Sequence, residues 1–251
     1  GMNTWQIRKE GSGLLALRGS NTFDGGMIIN SGTVGVARSA GTSINLGSGT
    51  VTINQGGILR LGHSVTSNTN STFTPNNIVL AGGSIHVDDA YQHLTGTLDV
   101  TAGGNLGSTY NSGANTSGER DKGLFLDGIV TGTGNLNLFH TGISAGNNYN
   151  TSIVHFNNAA NTYSGEITVI PMTGTAGGSY LGIGATHALR NATVILDGNN
   201  TSSHRRFGDS TICFRSGIGA ASLGALSGTG DIVLNGYDMI NHAYLSEAIT
   251  L

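Results

Sequence analysis

The chain has 251 residues, 42 of them glycine and only two proline, with 10% charged and 37% hydrophobic residues and a formal charge of −3. That composition excludes a Pro- or charge-rich disordered chain, and the near balance of charge argues against a surface that tracks nucleic-acid phosphates. Apolar runs fall short of membrane-spanning length, and Thr, Ser, Asn, Gly and β-branched residues in place of Lys, Glu and Ala favour strands and turns over helix.

In chain order, one short pattern recurs: Gly, any residue, an aliphatic, any residue, an aliphatic. It occurs at Gly13–Leu17, Gly32–Val36, Gly49–Ile53, Gly57–Leu61 and Gly83–Val87, then at Gly96–Val100, Gly134–Leu138, Gly165–Val169 and Gly230–Leu234. Two apolar residues spaced by two lie on one face of a strand. The residue between them points the other way, and here it is mostly polar or small: Ala16, Gly35, Thr52, Arg60, His86, Asp99, Asn137, Thr168. The pattern predicts strands of about three to five residues with one dry and one wet face, each entered through a glycine that permits a turn.

Repetition along the whole chain is the mark of stacked repeats. Hairpin dipeptides are few (Asp24-Gly25, Asp127-Gly128, Asp197-Gly198, Asn235-Gly236), which disfavours a meander. The fold class expected is therefore all-β: a single-stranded, right-handed parallel β-helix, or β-solenoid. At roughly 20–25 residues per coil it would have about ten to twelve coils. Gly1-Met2 reads as an added start, and the chain stops mid-pattern at Ala248-Ile249-Thr250-Leu251. Residues 1–251 are thus expected to form one β-helix domain of a longer protein, its open end edges continued by neighbouring coils of the full-length chain. Cys213 stands alone between Ile212 and Phe214, so no disulfide framework forms within one copy. It reads as a small buried side chain.

At larger scale, Lys9 to Gly26 run Lys-Glu-Gly-Ser-Gly-Leu-Leu-Ala-Leu-Arg-Gly-Ser-Asn-Thr-Phe-Asp-Gly-Gly and lead into Met27–Val36. This resembles the autotransporter-associated β-strand repeat, also called the passenger-associated transport repeat. A looser copy begins at Gly132-Thr133-Gly134-Asn135-Leu136-Asn137-Leu138 and resumes at Asn161-Thr162-Tyr163-Ser164-Gly165-Glu166-Ile167-Thr168-Val169. A third starts at Leu226–Leu234, so the repeat-like copies lie near 9–61, 132–196 and 226–251. The resemblance implies a β-helical passenger or surface protein of a bacterium, extracellular or outer-membrane-associated, in which the repeat aids export and folding. It supplies no catalytic residues to carry over. Physically, the Asn-Thr-Phe/Tyr piece suits a corner. Asn21 or Asn161 would satisfy backbone groups at the bend, and Phe23 or Tyr163 would cover the core.

The densest polar cluster is His86-Val87-Asp88-Asp89, with His93 nearby. Alternation puts Ile85 and Val87 inward and His86 and Asp88 outward. Asp88, Asp89 and Asp99 are the carboxylates, and Arg60 and His86 the bases, that a polysaccharide-cleaving β-helix would need on one sheet. A solvated strand end is the plainer reading. Glu119-Arg120-Asp121-Lys122 reads as a self-compensating surface loop, and His204-Arg205-Arg206 as a basic turn able to grip an anionic sugar. No sequence motif for a metal, phosphate or nucleotide cofactor occurs. Three functions compete. One is a non-catalytic structural or adhesive module whose partners are glycans or surface proteins, with neither nucleic acid nor membrane insertion. Another is a lyase or hydrolase, with a groove under loops 62–77, 103–122, 140–152 and 171–180. The third is a non-catalytic glycan-binding module. Tyr91, Tyr110, Tyr149 and Tyr180 are the aromatics in loop-like contexts that glycan binding would use.

Overall fold

A computed structural model describes residues 5–18, 20–36, 45–62, 72–88, 91–108, 120–141, 150–172, 178–201, 210–238 and 243–251. Among them there is no helix. The strands form a 13-stranded sheet, an eight-stranded sheet and a two-stranded pair. Every pairing is parallel except the last, where Ala243–Ala248 folds back antiparallel on Asn235–Asp238.

The large sheet has two limbs. Along the first, Ile7, Met27, Val51, Ile78, Leu98 and Val130 succeed one another as register partners. Along the second, the succession is Leu15, Val34, Leu59, Ile85, Leu106, Leu138, Val169 and Leu196. The opposite sheet carries Leu94, Leu126, Phe156, Ile183 and Phe214 in line. From Ile78 to Asp238 the chain alternates between the two sheets in sequence order, except that Val130–Gly132 and Leu136–His140 are successive strands of the large one, one in each limb. In-register parallel stacking explains the repeat: each Gly-x-aliphatic-x-aliphatic unit adds two buried side chains to one apolar column. Val34, Val51 and Leu59 are wholly buried in the same continuous core, with Leu15 packed against it. The architecture is an all-β fold with a large parallel sheet, as a β-solenoid requires.

Two details differ from the sequence reading. Ile78–Val87 and Leu98–Ser108 have 10 and 11 residues rather than three to five, because each runs through both limbs. The bend falls at Gly82 (φ 91°) and Gly103 (φ 82°), which take left-handed backbone so that the strand turns without breaking. The other is the ninth copy of the pattern: Gly230–Leu234 forms no strand. The register slot opposite Thr193–Leu196 is filled by Ala225–Gly228 instead. Leu223–Gly228 is the terminal strand of its sheet and is largely exposed.

Polar groups are stacked as deliberately as apolar ones. Asn54 donates to Asn30 Oδ1 at 2.6 Å, and Asn30 to Glu10 at 2.5 Å, one rung to the next. Asn137 donates to Asn105 and Asn105 to Ser84, both at 3.1 Å. Identical amides at strand spacing satisfy one another up the column.

Candidate functional site

The sequence-predicted cluster is partly assembled. Arg60 and His86 are register partners on adjacent rungs, which the short strand pattern places side by side on the outer face. Arg60 Nε lies 2.8 Å from the Asp88 carboxylate, whose residue is 5% exposed. Burial pushes the His86 imidazole down to about 4; nearby Asp88 opposes this and Arg60 adds to it. The His86 ring meets Phe139 edge-on at 5.1 Å, across Gly107, whose missing side chain makes that approach possible. Asp99 is not part of the group. It lies on the other limb, between Val79 and Thr131 in register, and accepts a hydrogen bond from Thr131. Asp89 lies outside the described residues. The arrangement is an ion pair with a neutral imidazole beside it, and the two carboxylates that glycoside chemistry uses are not brought together among the described residues.

Other expectations are corrected by position. His93 does not join His86; it belongs to the opposite sheet, in Tyr91–Leu94. Tyr91 and Tyr180 are strand residues rather than loop residues. Tyr180 is fully buried with Ile153, Cys213 and Tyr237, in a small apolar cluster apart from the main core. Arg120-Asp121-Lys122 open the strand Arg120–Leu126 instead of forming a loop. Glu119, Tyr110, Tyr149 and His204-Arg205-Arg206 lie outside the described residues.

A second constellation sits on the opposite sheet. His93, Phe125 and His155 are consecutive register partners, and their rings stack at 4.7 Å with interplanar angles of 16° and 11°. Strand spacing dictates this: side chains in one column recur at about 4.8 Å, close to ring-stacking distance. Tyr91 adds an edge contact to Phe125 at 5.5 Å. The next register partner after His155 is Gly182. A Cβ there would fall 2.1 Å from His155 Nδ1, so the imidazole occupies the space that the glycine leaves.

The neighbouring outward column runs Asp127, Asn157, Gly184, Arg215, each one residue past a register partner already described. Asp127 and His93 Nδ1 are 2.6 Å apart, and Asn157 Nδ2 donates to Asp127 at 2.7 Å. A carboxylate only accepts, so His93 Nδ1 carries the proton. Burial alone would raise the Asp127 pKa, but the hydrogen bonds from His93 and Asn157 outweigh it and hold the carboxyl below its ordinary value. His155 is 1% exposed, and burial, aided by Arg215, pushes its imidazole down to about 3 against the pull of Asp127. Neither ring nitrogen of His155 has a hydrogen-bond partner, nor does Asn157 Oδ1. Together His93, Phe125, Asp127, His155, Asn157 and Arg215 line a pocket of about 310 Å³.

Sequence reasoning missed this pocket. Its residues come from four strands and are separated by about thirty positions, and only the register brings them together. The one legible signal was Gly182-Ile183-Gly184, which leaves two successive outward positions at the end of Ser179–Ile183 without side chains.

Comparison with protein-family models, with curated proteins and with solved structures finds no match.

Proposed function

We propose that this chain is a non-catalytic structural or adhesive module of a secreted or surface-displayed bacterial protein, passenger-like, wound as one right-handed parallel β-helix. The observation that carries the reading is the parallel register itself, which continues rung by rung from Ile7 to Leu226. Parallel crossovers within one sheet are right-handed almost without exception, about 98% of the time. Nine strands follow one another along the second limb among the described residues: those starting at Leu14, Gly32, Gly57, Ile78, Leu98, Leu136, Glu166, Leu189 and Leu223. We take the coil count as nine rather than ten to twelve. Some coils are longer than first assumed; rung partners Leu106 and Leu138 are 32 residues apart.

A rod built this way gives long reach and a polar exterior without needing a reactive centre, which suits surface display. The reading is tested by incubating the purified chain with acidic and neutral polysaccharides while scoring new reducing ends or unsaturated products, and by scoring its retention on glycan- or cell-coated surfaces. Retention without depolymerisation is expected. Depolymerisation that is abolished by Asp88→Asn or Arg60→Ala would replace this reading with the enzymatic one.

A further inference from the structure

The two ends of the parallel stack are built differently. At the first edge the apolar column stops bare. Ile7, Leu15 and Leu17 are only partly buried, although their register partners Met27, Val34 and Val36 are 0%, 0% and 2% exposed. At the other end the column is sealed. Ile249 and Ala221, each 4% exposed, belong to the main core, and Ile218 and Ile232 pack against it. We propose that residues 217–221, 231–234 and 243–250 form a built-in cap that stops a second copy of this chain from stacking on this end, so that self-association is confined to the open first edge.

The cap is made by reversing one strand. A further rung would have to add a strand to each sheet. On the opposite sheet that slot is taken by Ala243–Ala248, which pairs antiparallel with Asn235–Asp238, the one antiparallel pairing among the described residues. Its ladder uses the backbone groups that an incoming parallel strand would need. Leu223–Gly228, the last strand of the large sheet, keeps an open edge, but a strand added there alone would have no second sheet to close a core with. Past Ala248 the chain crosses back over the column. Ile249 N–H donates to the Leu234 carbonyl at 3.1 Å, Thr250 N–H donates to the Gly219 carbonyl at 3.1 Å, and Ala221 N–H donates to the Thr250 carbonyl at 2.9 Å. These bonds hold Ile249 against the core.

The corner that receives this return is shaped for it. Gly217 and Gly219 take left-handed backbone, at φ 83° and 64°, and a Cβ on either would meet nothing within 4 Å. Glycine is therefore needed there for conformation and not for space. The turn presents the Gly217 N–H to the Glu247 carboxylate, at 3.0 and 2.9 Å from its two oxygens, and a bond to an ionised acceptor is among the stronger ones. A second tie holds the other margin. Asp231 N–H donates to Asn199 Oδ1 at 2.5 Å, and Asn199 Nδ2 donates to Asp231 Oδ2 at 2.7 Å.

A second copy is the occupant that the cap excludes, because the two edges of a parallel stack are complementary by construction. Every rung pairs with the next in one direction, so the first edge of one copy matches the last rung of another. Such head-to-tail contacts do not close, and they grow into filaments. Two first edges meet only by a two-fold contact, which closes at a dimer. Sealing one end therefore limits association to two chains.

The test is sedimentation velocity of the whole chain over a wide range of concentration. The parent is expected to stay at or below the mass of two chains throughout. Ile249→Asp puts a charge where the cap meets the core, and its mean mass is expected to rise past two chains, to about twice the parent's or more at the highest concentration. Asn235 and Ala248 are exposed register partners across the antiparallel pair, so oxidised Asn235→Cys/Ala248→Cys locks the return. Added to Ile249→Asp, the closed disulfide is expected to restore the parent's mass, and its reduction to release growth again. Glu247→Ala, outside the core, is expected to give a smaller rise, and it decides the question where circular dichroism shows that Ile249→Asp has lost its fold. A parent that itself grows past two chains, folded cap variants that stay at the parent's mass, or growth that persists with the disulfide closed would each overturn the proposal.

Discussion

His155 is the most consequential single side chain on the opposite sheet. Its imidazole is buried between Phe125 and the bare backbone of Gly182, with a pKa pushed down to about 3. In the unfolded chain it would titrate near 6.5. Folded His155 therefore binds fewer protons than unfolded His155 between those values, so its contribution to stability is complete above about pH 6.5 and is lost as pH falls toward 3. His86, pushed down to about 4, acts in the same direction. Asp127 loses its contribution only at lower pH, as its depressed carboxyl protonates. A thermal or urea melt should show stability falling by about 2–3 kcal/mol for His155 between pH 6.5 and 4.5, and His155→Phe should flatten that slope. An unchanged slope would refute burial as the cause. The Arg60–Asp88 pair makes a second residue-scale prediction. Arg60 is a third exposed while Asp88 is nearly buried, so Arg60→Ala should cost about 1–3 kcal/mol, between the values for surface and buried pairs. Arg60→Ala/Asp88→Ala should recover much of that loss in urea unfolding, and a loss that simply adds would contradict the pairing. That His86 and Asp88 face outward together was legible from strand alternation, but the approach of Arg60 was not, since it depends on the register with the neighbouring rung. The surroundings of His155 and Arg215 were not legible either, because their neighbours are set by sequence offsets between paired strands that vary from rung to rung.

At the scale of the element, corners hold the rungs together. Asn161, 2% exposed, accepts from the Val130 N–H at 2.8 Å and donates to the Ala188 carbonyl at 3.1 Å, tying its own segment to one 31 residues before it and one 27 after. Tyr163, also buried, donates toward the Gly134 and Glu166 carbonyls. The Asn-Thr-Tyr corner was readable from residue type, since a short amide suits a bend and an aromatic suits the core lid. Asn76 and Asn200 do the same work without the flanking motif. Asn76 donates to the Gly47 and Gly49 carbonyls. Asn200 accepts from the Met172 and Ser179 N–H groups and donates to the Ser179 carbonyl. Nothing in their local sequence distinguished them from surface amides. Asn161→Ala should cost about 2–4 kcal/mol, because it strands a buried N–H and a buried carbonyl together. Asn158→Ala nearby, whose half-buried amide donates to the Asp127 carbonyl and accepts from the N–H of exposed Ala160, should cost markedly less, because water can replace the partner it loses there. Equal losses in chemical denaturation would show that the corner bonds are not what stabilises the bend. The failed copy at Gly230–Leu234 teaches the converse: a strand pattern becomes a strand only where the register leaves it a slot.

Over the whole molecule, one relation organises everything described: each rung is displaced from the last by a single strand spacing, with its side chains in line. The core, the amide ladders, the ring stack and the pocket all follow from it. At the first edge Trp5 and Leu14 are largely exposed, whereas at the other end the opposite sheet is finished by the antiparallel return of Ala243–Ala248. The periodic aliphatics made the parallel stacking legible in the sequence. The antiparallel return was hidden, because Ala243-Tyr244-Leu245-Ser246-Glu247-Ala248 carries no glycine-led pattern to distinguish a returning strand from another parallel one. The register is tested most directly by electron-spin distance measurements between labels at Arg8 and Asp99 and between labels at Arg8 and Thr131, all on the outer face of the first limb. The path Arg8, Ile28, Thr52, Val79, Asp99, Thr131 puts Asp99 four rungs and Thr131 five rungs from Arg8. Backbone separations of about 19 Å and 24 Å are expected, growing by one strand spacing per rung. Separations that are equal, or that shrink from Asp99 to Thr131, would contradict the stacked parallel register.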